Sequence, residues 1–254
     1  MSKHQVGYVL FCLFTVVFFF GYFTYNWGFT FFFIGFLVWF AALVYGSFSI
    51  RANFHLKAIH RGEVKGKIVA ITFDDGPTEF TLKALELLNK YRQKASFFCI
   101  GKQVQKHEKI VVSIVENGHE VGNHTFSHAQ QMGFKNTAEM IEEIECTDKI
   151  LEGIVEKKTR YFRPPFGVTN PAVRRAIQET KHIVVGWNIR SLDTSINNEK
   201  RIFNRIKRKI KPGSIILLHD TSKKSINVLE QLLIYLEQEE YKSVTVTELL
   251  NFET

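Results

Sequence analysis

The first fifty residues hold no Asp, Glu or Arg and a single Lys, Lys3, yet they carry more than half of the chain's 24 Phe. Such a segment cannot form a solvated surface. Two apolar runs, Val6–Phe23 and Phe29–Ser49, are separated by the stretch TYNWG. Each approaches the roughly 20 residues that a helix needs to cross a bilayer. Tyr22, Tyr25 and Trp27 gather at the turn, where amphipathic rings favour the membrane interface. A cleaved signal peptide would show a small-residue cleavage site and no second apolar run. Residues 1–50 are therefore expected to form a transmembrane hairpin, with spans at 6–23 and 29–49, making the chain a multi-pass protein of the cell (inner) membrane. Lys3 before the hairpin, and Arg51, Lys57, Arg61, Lys65 and Lys67 after it, place both ends in the cytoplasm by the positive-inside rule.

The remaining 204 of the 254 residues suffice for one sizeable domain. Residues 51–66 read as a basic, irregular linker and 67–254 as the catalytic domain. The net charge of +8 falls almost wholly after residue 50 and favours anionic partners. Its Lys and Arg are scattered, however, without zinc-finger spacing or an aromatic RNA-binding signature, so no nucleic-acid partner is expected. The densest run, NEKRIFNRIKRKIK (198–211), places Ile202, Phe203, Ile206 and Ile210 at helical spacing opposite its cations. That is an ordinary solvated helix face, with anionic lipid headgroups as the alternative partner. Three cysteines, Cys12, Cys99 and Cys146, make no disulfide framework and read as small buried apolar residues.

After residue 66 strand-like runs alternate with helical patterns. The runs are 67–73, 95–100, 120–124, 160–162, 182–189, 214–218 and 241–246. The helices are 80–91, 103–117, 138–155, 171–180, 199–210 and 226–239. Asn170-Pro171 is a helix start, with Asn as cap and Pro in the first turn. The alternation predicts βαβ units and an α/β fold, a distorted (β/α) barrel of about seven parallel strands. In parallel barrels the chemistry collects at the carboxyl ends of the strands. Here those ends carry Asp74-Asp75, then NHTFSH with His124 and His128, RPPFG (163–167), Trp187 and SLDTS with Asp193, and finally LLHD with His219 and Asp220.

Adjacent carboxylates repel unless something compensates them. His124 and His128, four apart, can converge on one metal ion, and one carboxylate of the pair completes a set of two His and one Asp. That set leaves coordination positions open and suits Zn²⁺, with Co or Mn as neighbours in the series. If Asp75 takes the cation, Asp74 stays ionised and can serve as a base toward an activated water. His219 is the candidate acid for the leaving group, with Asp193 holding its imidazole protonated and oriented. Arg163 could pair with Asp74 or be an ordinary salt-bridge residue. Pro164-Pro165 stiffens the loop around Phe166, whose backbone N–H could help to hold an oxyanion.

Taken in order, TFDDGP (72–77), HTFSH (124–128), RPPFG (163–167) and LLH (217–219) resemble motifs of the polysaccharide deacetylases with a NodB homology domain, carbohydrate esterase family 4. The resemblance spans roughly residues 67–250. It implies metal-dependent hydrolysis of N-acetyl groups on the amino sugars of a glycan. It also implies Asp74 as base, Asp75, His124 and His128 as ligands, Arg163 as partner of the base, His219 as acid and Leu217 as lining for the acetyl methyl. The substrate-binding set is then Pro165, Phe166, Trp187 and Leu217. In one departure, Thr194 follows Asp193 where the family has Trp, and Trp187 lies a few residues upstream. The expected partners are an N-acetylated glycan and the lipid bilayer. Two alternatives are a deacetylase or deformylase of a lipid-linked amino sugar at the membrane, and an inactive, membrane-anchored glycan-binding module.

Overall fold

The computed structural model describes residues 2–156 and 159–252, so Glu253 and Thr254, at the end of the expected catalytic domain, lie outside the described residues. The two apolar runs are helices, α1 (Lys3–Tyr25) and α2 (Phe29–Phe48), joined by a short turn. They pack as an antiparallel pair through aromatic faces. Phe11 stacks on Trp39 with ring centroids 4.4 Å apart, and Phe18 is 1% exposed. Gly35 leaves the space that the Phe14 ring fills, so close approach of the helices depends on a missing side chain. Outward, the pair shows Phe20, Phe23, Phe31 and Phe33 to its surroundings.

The domain is a curled, mostly parallel sheet wrapped by helices. Its strands are β1 (Ala58–Ile59), β2 (Ile68–Asp74), β3 (Ala95–Cys99), β4 (Glu120–Asn123), β5 (Tyr161–Phe162), β6 (Ile183–Val185), β7 (Ile189–Arg190), β8 (Ile215–His219) and β9 (Lys242–Ser243). The helices are α3 (Glu79–Lys90), α4 (Gly101–Lys106), α5 (Glu108–Glu116), α6 (Thr137–Val155), α7 (Pro171–Thr180), α8 (Glu199–Lys207), α9 (Lys223–Gln238) and α10 (Val246–Asn251). The spatial order β1-β6-β5-β4-β3-β2-β8-β7, with β9 beside the start of β2, is that of a distorted, incomplete barrel.

Side-chain alternation along β2 divides the interior in two. Val69, Ile71 and Phe73 face outward to α3 and α9, in a cluster with Leu88, Ile216 and Leu229. Ala70 faces inward, in a cluster with Phe98, Phe162, Trp187 and Leu217. The same period of two carries Thr72 and Asp74 to the inner side. Asn170 caps α7 as expected, its Oδ1 accepting from the Val173 N–H at 2.8 Å.

Four details differ from expectation. Within residues 51–66, read as an irregular linker, Ala58 and Ile59 form a strand paired with Val184 and Val185. The expected strand 182–189 divides into β6 and β7. Gly186 donates to Ile59 at one sheet edge and Asn188 to Ile215 at the other, so the chain itself spans the gap in the barrel. The expected helix 103–117 breaks at His107, where backbone angles of −134° and 40° are not helical. The expected strand 241–246 ends after Ser243 because Thr245 and Glu248 form a reciprocal capping box that starts α10.

Candidate active site

Asp74 is the last residue of β2 and lies in register with His219, the last residue of β8. Its carboxylate is 4% exposed and faces Arg163, which is wholly buried. The Arg163 guanidinium donates from Nη1 to Asp74 Oδ1 (2.6 Å) and Thr72 Oγ1 (2.9 Å). It also donates from Nε to the Val185 carbonyl (3.0 Å) and from Nη2 to the Gly186 carbonyl (3.0 Å). Phe98 lies under the guanidinium at 4.0 Å and Trp187 at 5.5 Å. Four directed bonds and two aromatic walls fix the position of Asp74.

Asp75 follows with φ 74°, a left-handed conformation that Asp tolerates better than most side chains. That turn sends its carboxylate away from Arg163 and toward the histidines. Asp75 Oδ1 is buried without a hydrogen-bond partner among the described residues, and lies 3.5 Å from His124 Nε2 and 3.3 Å from His128 Nε2. The three ligand-type atoms lie within 4.8 Å of one another. An orphaned carboxylate oxygen facing two imidazole nitrogens is the donor set that a divalent cation of borderline softness takes. His124 Nδ1 is tied to the Arg163 carbonyl at 2.7 Å, which aims Nε2 at Asp75 and links both halves of the site. Burial raises the Asp75 carboxyl, but the close approach and charge of His124, with the charges of His219 and His128, outweigh it and hold the group at about 2. His124 and His128 part company. Burial lowers both, but Asp74 and Asp75 lift His124 above its ordinary value, while the charge of His124 keeps His128 below it.

The turn that carries the two histidines is built by residues that sequence reasoning did not single out. Asn123 Oδ1 accepts from Thr125 N (2.8 Å), and its Nδ2 donates to the Ile144 carbonyl and Asp148, both at 2.8 Å. Glu143, on α6, accepts from the N–H groups of Phe126 (3.0 Å) and Ser127 (2.8 Å) and from Ser127 Oγ (2.6 Å). Lys135 neutralises it at 3.0 Å. Thr125 and His128 both take positive φ, 67° and 48°, so this tight turn depends on that scaffold.

Across the mouth, His219 Nδ1 lies 2.8 Å from Asp193 Oδ1, and the His219 N–H donates to Asp193 Oδ2 at 2.9 Å. Asp193 is wholly buried and also accepts from Ser191 Oγ at 2.7 Å. Burial opposes a charge on His219, but the hydrogen bond and charge of Asp193, with the charges of Asp74 and Asp75, raise it to about 9. His219 Nε2 faces the opening, 3.9 Å from Asp75 Oδ2.

The expected binding residues divide. Phe166, with φ 60°, is 47% exposed beside His128, its ring centroid 4.8 Å from the imidazole. Pro165 and Leu217 are buried, Leu217 two residues before His219 on the inner face of β8. Trp187 is 7% exposed and packs between Arg163 and Gly167, so it braces the site more than it lines the opening. Thr194 is exposed.

Comparison with known proteins agrees with this arrangement. A family model described as polysaccharide deacetylase matches residues 61–185. A peptidoglycan-N-acetylglucosamine deacetylase of Bacillus cereus is 36% identical over 194 residues, 73% of this chain and 89% of that protein. The peptidoglycan-N-acetylmuramic acid deacetylase PdaC of Bacillus subtilis is 32% identical, over 72% of this chain and 38% of its own longer one. The PdaC structure has a TM-score of 0.68 at 32% identity, covering 72% of this chain and 89% of the solved one. A CE4 family pseudoenzyme from Bacillus anthracis has a TM-score of 0.71 at 28% identity, covering 77% and 69%. Because active and inactive members match equally well, the fold alone does not carry activity. Four ordered motifs and a relative matched over nearly its whole length place the chain in the polysaccharide deacetylase family, hydrolases of non-peptide carbon–nitrogen amide bonds.

Proposed function

We propose that the protein is a metal-dependent peptidoglycan deacetylase that removes the N-acetyl group from an amino sugar of the glycan strand. The observation that carries this reading is Asp75 Oδ1, buried and unbonded between His124 and His128, opposite the His219–Asp193 pair. The relatives' names supply the substrate class: one acts on N-acetylglucosamine and another on N-acetylmuramic acid of peptidoglycan. Zn²⁺ fits the two-nitrogen, one-oxygen donor set, as Co²⁺ or Mn²⁺ would. When bound, such a cation supplies Lewis acidity toward the acetyl carbonyl and acidifies water.

The chain's own residues then do the rest. Asp74, held by Arg163, accepts a proton from the attacking water. The water oxygen joins the carbonyl carbon, and the Phe166 N–H is the donor proposed for the developing oxyanion. His219, kept charged by Asp193, gives its Nε2 proton to the sugar nitrogen as the carbon–nitrogen bond breaks. Acetate and a free amine leave. Leu217 and Phe166 border the space for the acyl group, and Trp187 is the wall behind Arg163.

The hairpin is read as spanning the bilayer, since its apolar windows are only 11% and 6% buried against the protein. A peptidoglycan substrate places the domain on the outer face, against the charge-based expectation of the cytoplasm. The rule behind that expectation weakens for long domains, which translocate largely regardless of charge. The test is acetate release from peptidoglycan fragments, with metal content measured by elemental analysis. Asp74→Asn should keep the metal and lose turnover, whereas Asp75→Asn should lose both. Full turnover by metal-free protein would overturn the reading.

A further inference from the structure

At the foot of the hairpin, where α1 begins and α2 has just ended, a cavity of about 460 Å³ opens between the helices and the domain. Lys3, Lys57 and Arg174 line it, with Ser2, Asn53 and His55, and among the described residues no acidic one lines it. Arg174 Nη1 donates to Ser2 Oγ at 2.8 Å and Lys3 Nζ to the Ala52 carbonyl at 2.7 Å, so neutral oxygens hold both cations in place. Among the described residues the Lys and Arg ion pairs involve Lys67, Lys90, Lys135 and Arg163, none of them here. The amino end of the 23-residue α1, capped by Ser2, adds the positive end of a helix dipole.

A second, independent feature points to a ligand. His55 is 2% exposed; its Nε2 bonds Ser47 Oγ at 3.0 Å and its buried Nδ1 has no partner among the described residues. A buried polar atom without a partner is costly unless something binds it. Burial, then the neighbouring His4 and Arg174, pull His55 down to about 4, so the ring is neutral at pH 7. A neutral imidazole among cations offers a hydrogen bond without adding charge.

We propose that this cavity binds a phosphate group, and that its source is the headgroup of an anionic phospholipid at the membrane surface. Three cations, a hydroxyl, an amide and a helix amino end together match an oxyanion with several acceptor oxygens. The lipid source rests on the reading that the hairpin spans the bilayer, because that reading puts the foot of the hairpin at headgroup depth. The phosphate site itself stands without that reading and without the hydrolytic one. A bound headgroup would touch α1, residues 53–57 and α7 together, and so would fix the domain's tilt against the membrane.

The test uses the full chain in detergent. Native mass spectrometry counts retained phosphatidylglycerol against chain-matched diacylglycerol, and thermal unfolding is followed with inorganic phosphate. One phosphatidylglycerol should be retained, with diacylglycerol lost. Lys57→Gln, an exposed change that spares the fold, and Arg174→Gln should each weaken retention at least about tenfold, the loss expected for one charge-assisted contact. Lys200→Gln on α8, away from the cavity lining, should leave it unchanged. Equal retention by wild type and both cavity variants would overturn the site. Stabilisation by inorganic phosphate with no preference for the phospholipid would overturn the lipid source. Release of the chain from membranes by alkaline carbonate would overturn the bilayer reading, separately from the phosphate arm.

Discussion

Replacing Arg163 is the most direct way to test how the site is held together. The residue is 0% exposed, and Asp74, its partner at 2.6 Å, is 4% exposed. Arg163→Met would leave a buried carboxylate uncompensated, two backbone carbonyls (Val185 and Gly186) without their donor, and the Thr72 hydroxyl without one of its bonds. Removing one partner of a buried ion pair costs about 3–5 kcal/mol. A domain stable by about 5–15 kcal/mol would survive this with little margin. Arg163→Lys keeps the charge but replaces a planar fork with one rotating ammonium, and should lose at least one charge-assisted bond, about 1.5–3 kcal/mol. Denaturant unfolding of the detergent-solubilised protein reads both values. A double-mutant cycle with Asp74→Asn separates the pair from the rest, because Arg163→Met should cost much less once the carboxylate has gone. Additivity of the two changes to within about 0.5 kcal/mol would refute the claim that Asp74 and Arg163 act as a unit.

Other outcomes follow from the same geometry. Asp193→Asn removes the first contribution that lifts His219 to about 9. His219, as the proposed acid, must be protonated, so activity should fall as pH rises through that value, and the variant's alkaline limb in kcat/KM should move down by about one pH unit or more. An unmoved limb would argue against the pairing. Glu143→Ala frees the N–H groups of Phe126 and Ser127 and loosens the His124–His128 turn. Metal affinity, measured by competition with a chelator, should fall about 10–100-fold, the usual cost of losing support behind a ligand. Gly167 has φ 71°, and a Cβ there would lie 2.6 Å from the Trp187 ring, so Gly167→Ala should destabilise by about 1–3 kcal/mol in the same unfolding assay.

The parts of this structure that were legible in the sequence are those in which the residue type itself carries the constraint. Phe-rich runs without charge can only be apolar helices in such a place; Asp74 and His219 announce themselves by following apolar strand-like runs, and His124 by its spacing of four from His128. What stayed hidden depends on partners distant in the chain. Ala58 and Ile59 become a strand only because Val184 and Val185 offer an edge. Nothing local in residues 182–189 marks Gly186 as the point where the chain leaves one edge for the other. Glu143 resembles any acid on an amphipathic helix until α6 packs under the 124–128 turn. The start of α10 was readable, since Thr245-x-x-Glu248 is a capping signature, but the overlapping KSVTV (242–246) suggested continued strand.

The adjacent aspartates show how one strand end can hold two different carboxylates. Period-two alternation points Asp74 inward, and the Asp74–His219 register sets it level with the acid candidate. Had the strand continued, Asp75 would face outward, into the apolar layer of Phe73 and Leu218. The positive φ at Asp75 turns it instead toward the two imidazoles, so each carboxylate meets its own cationic environment and their repulsion is compensated twice. The turn then needs Gly76, because a Cβ there would lie within 2.8 Å of the Asp220 carboxylate. Asp220 is wholly buried, accepts from Thr81 Oγ1 and is raised to about 7, chiefly by burial. An unpaired charge there would lie close to Asp75 and work against it. Asp220 is therefore least disruptive when neutral, with burial tending to keep it so, and the divided environments of Asp74 and Asp75 depend on this third carboxyl as well as on Arg163 and the histidines.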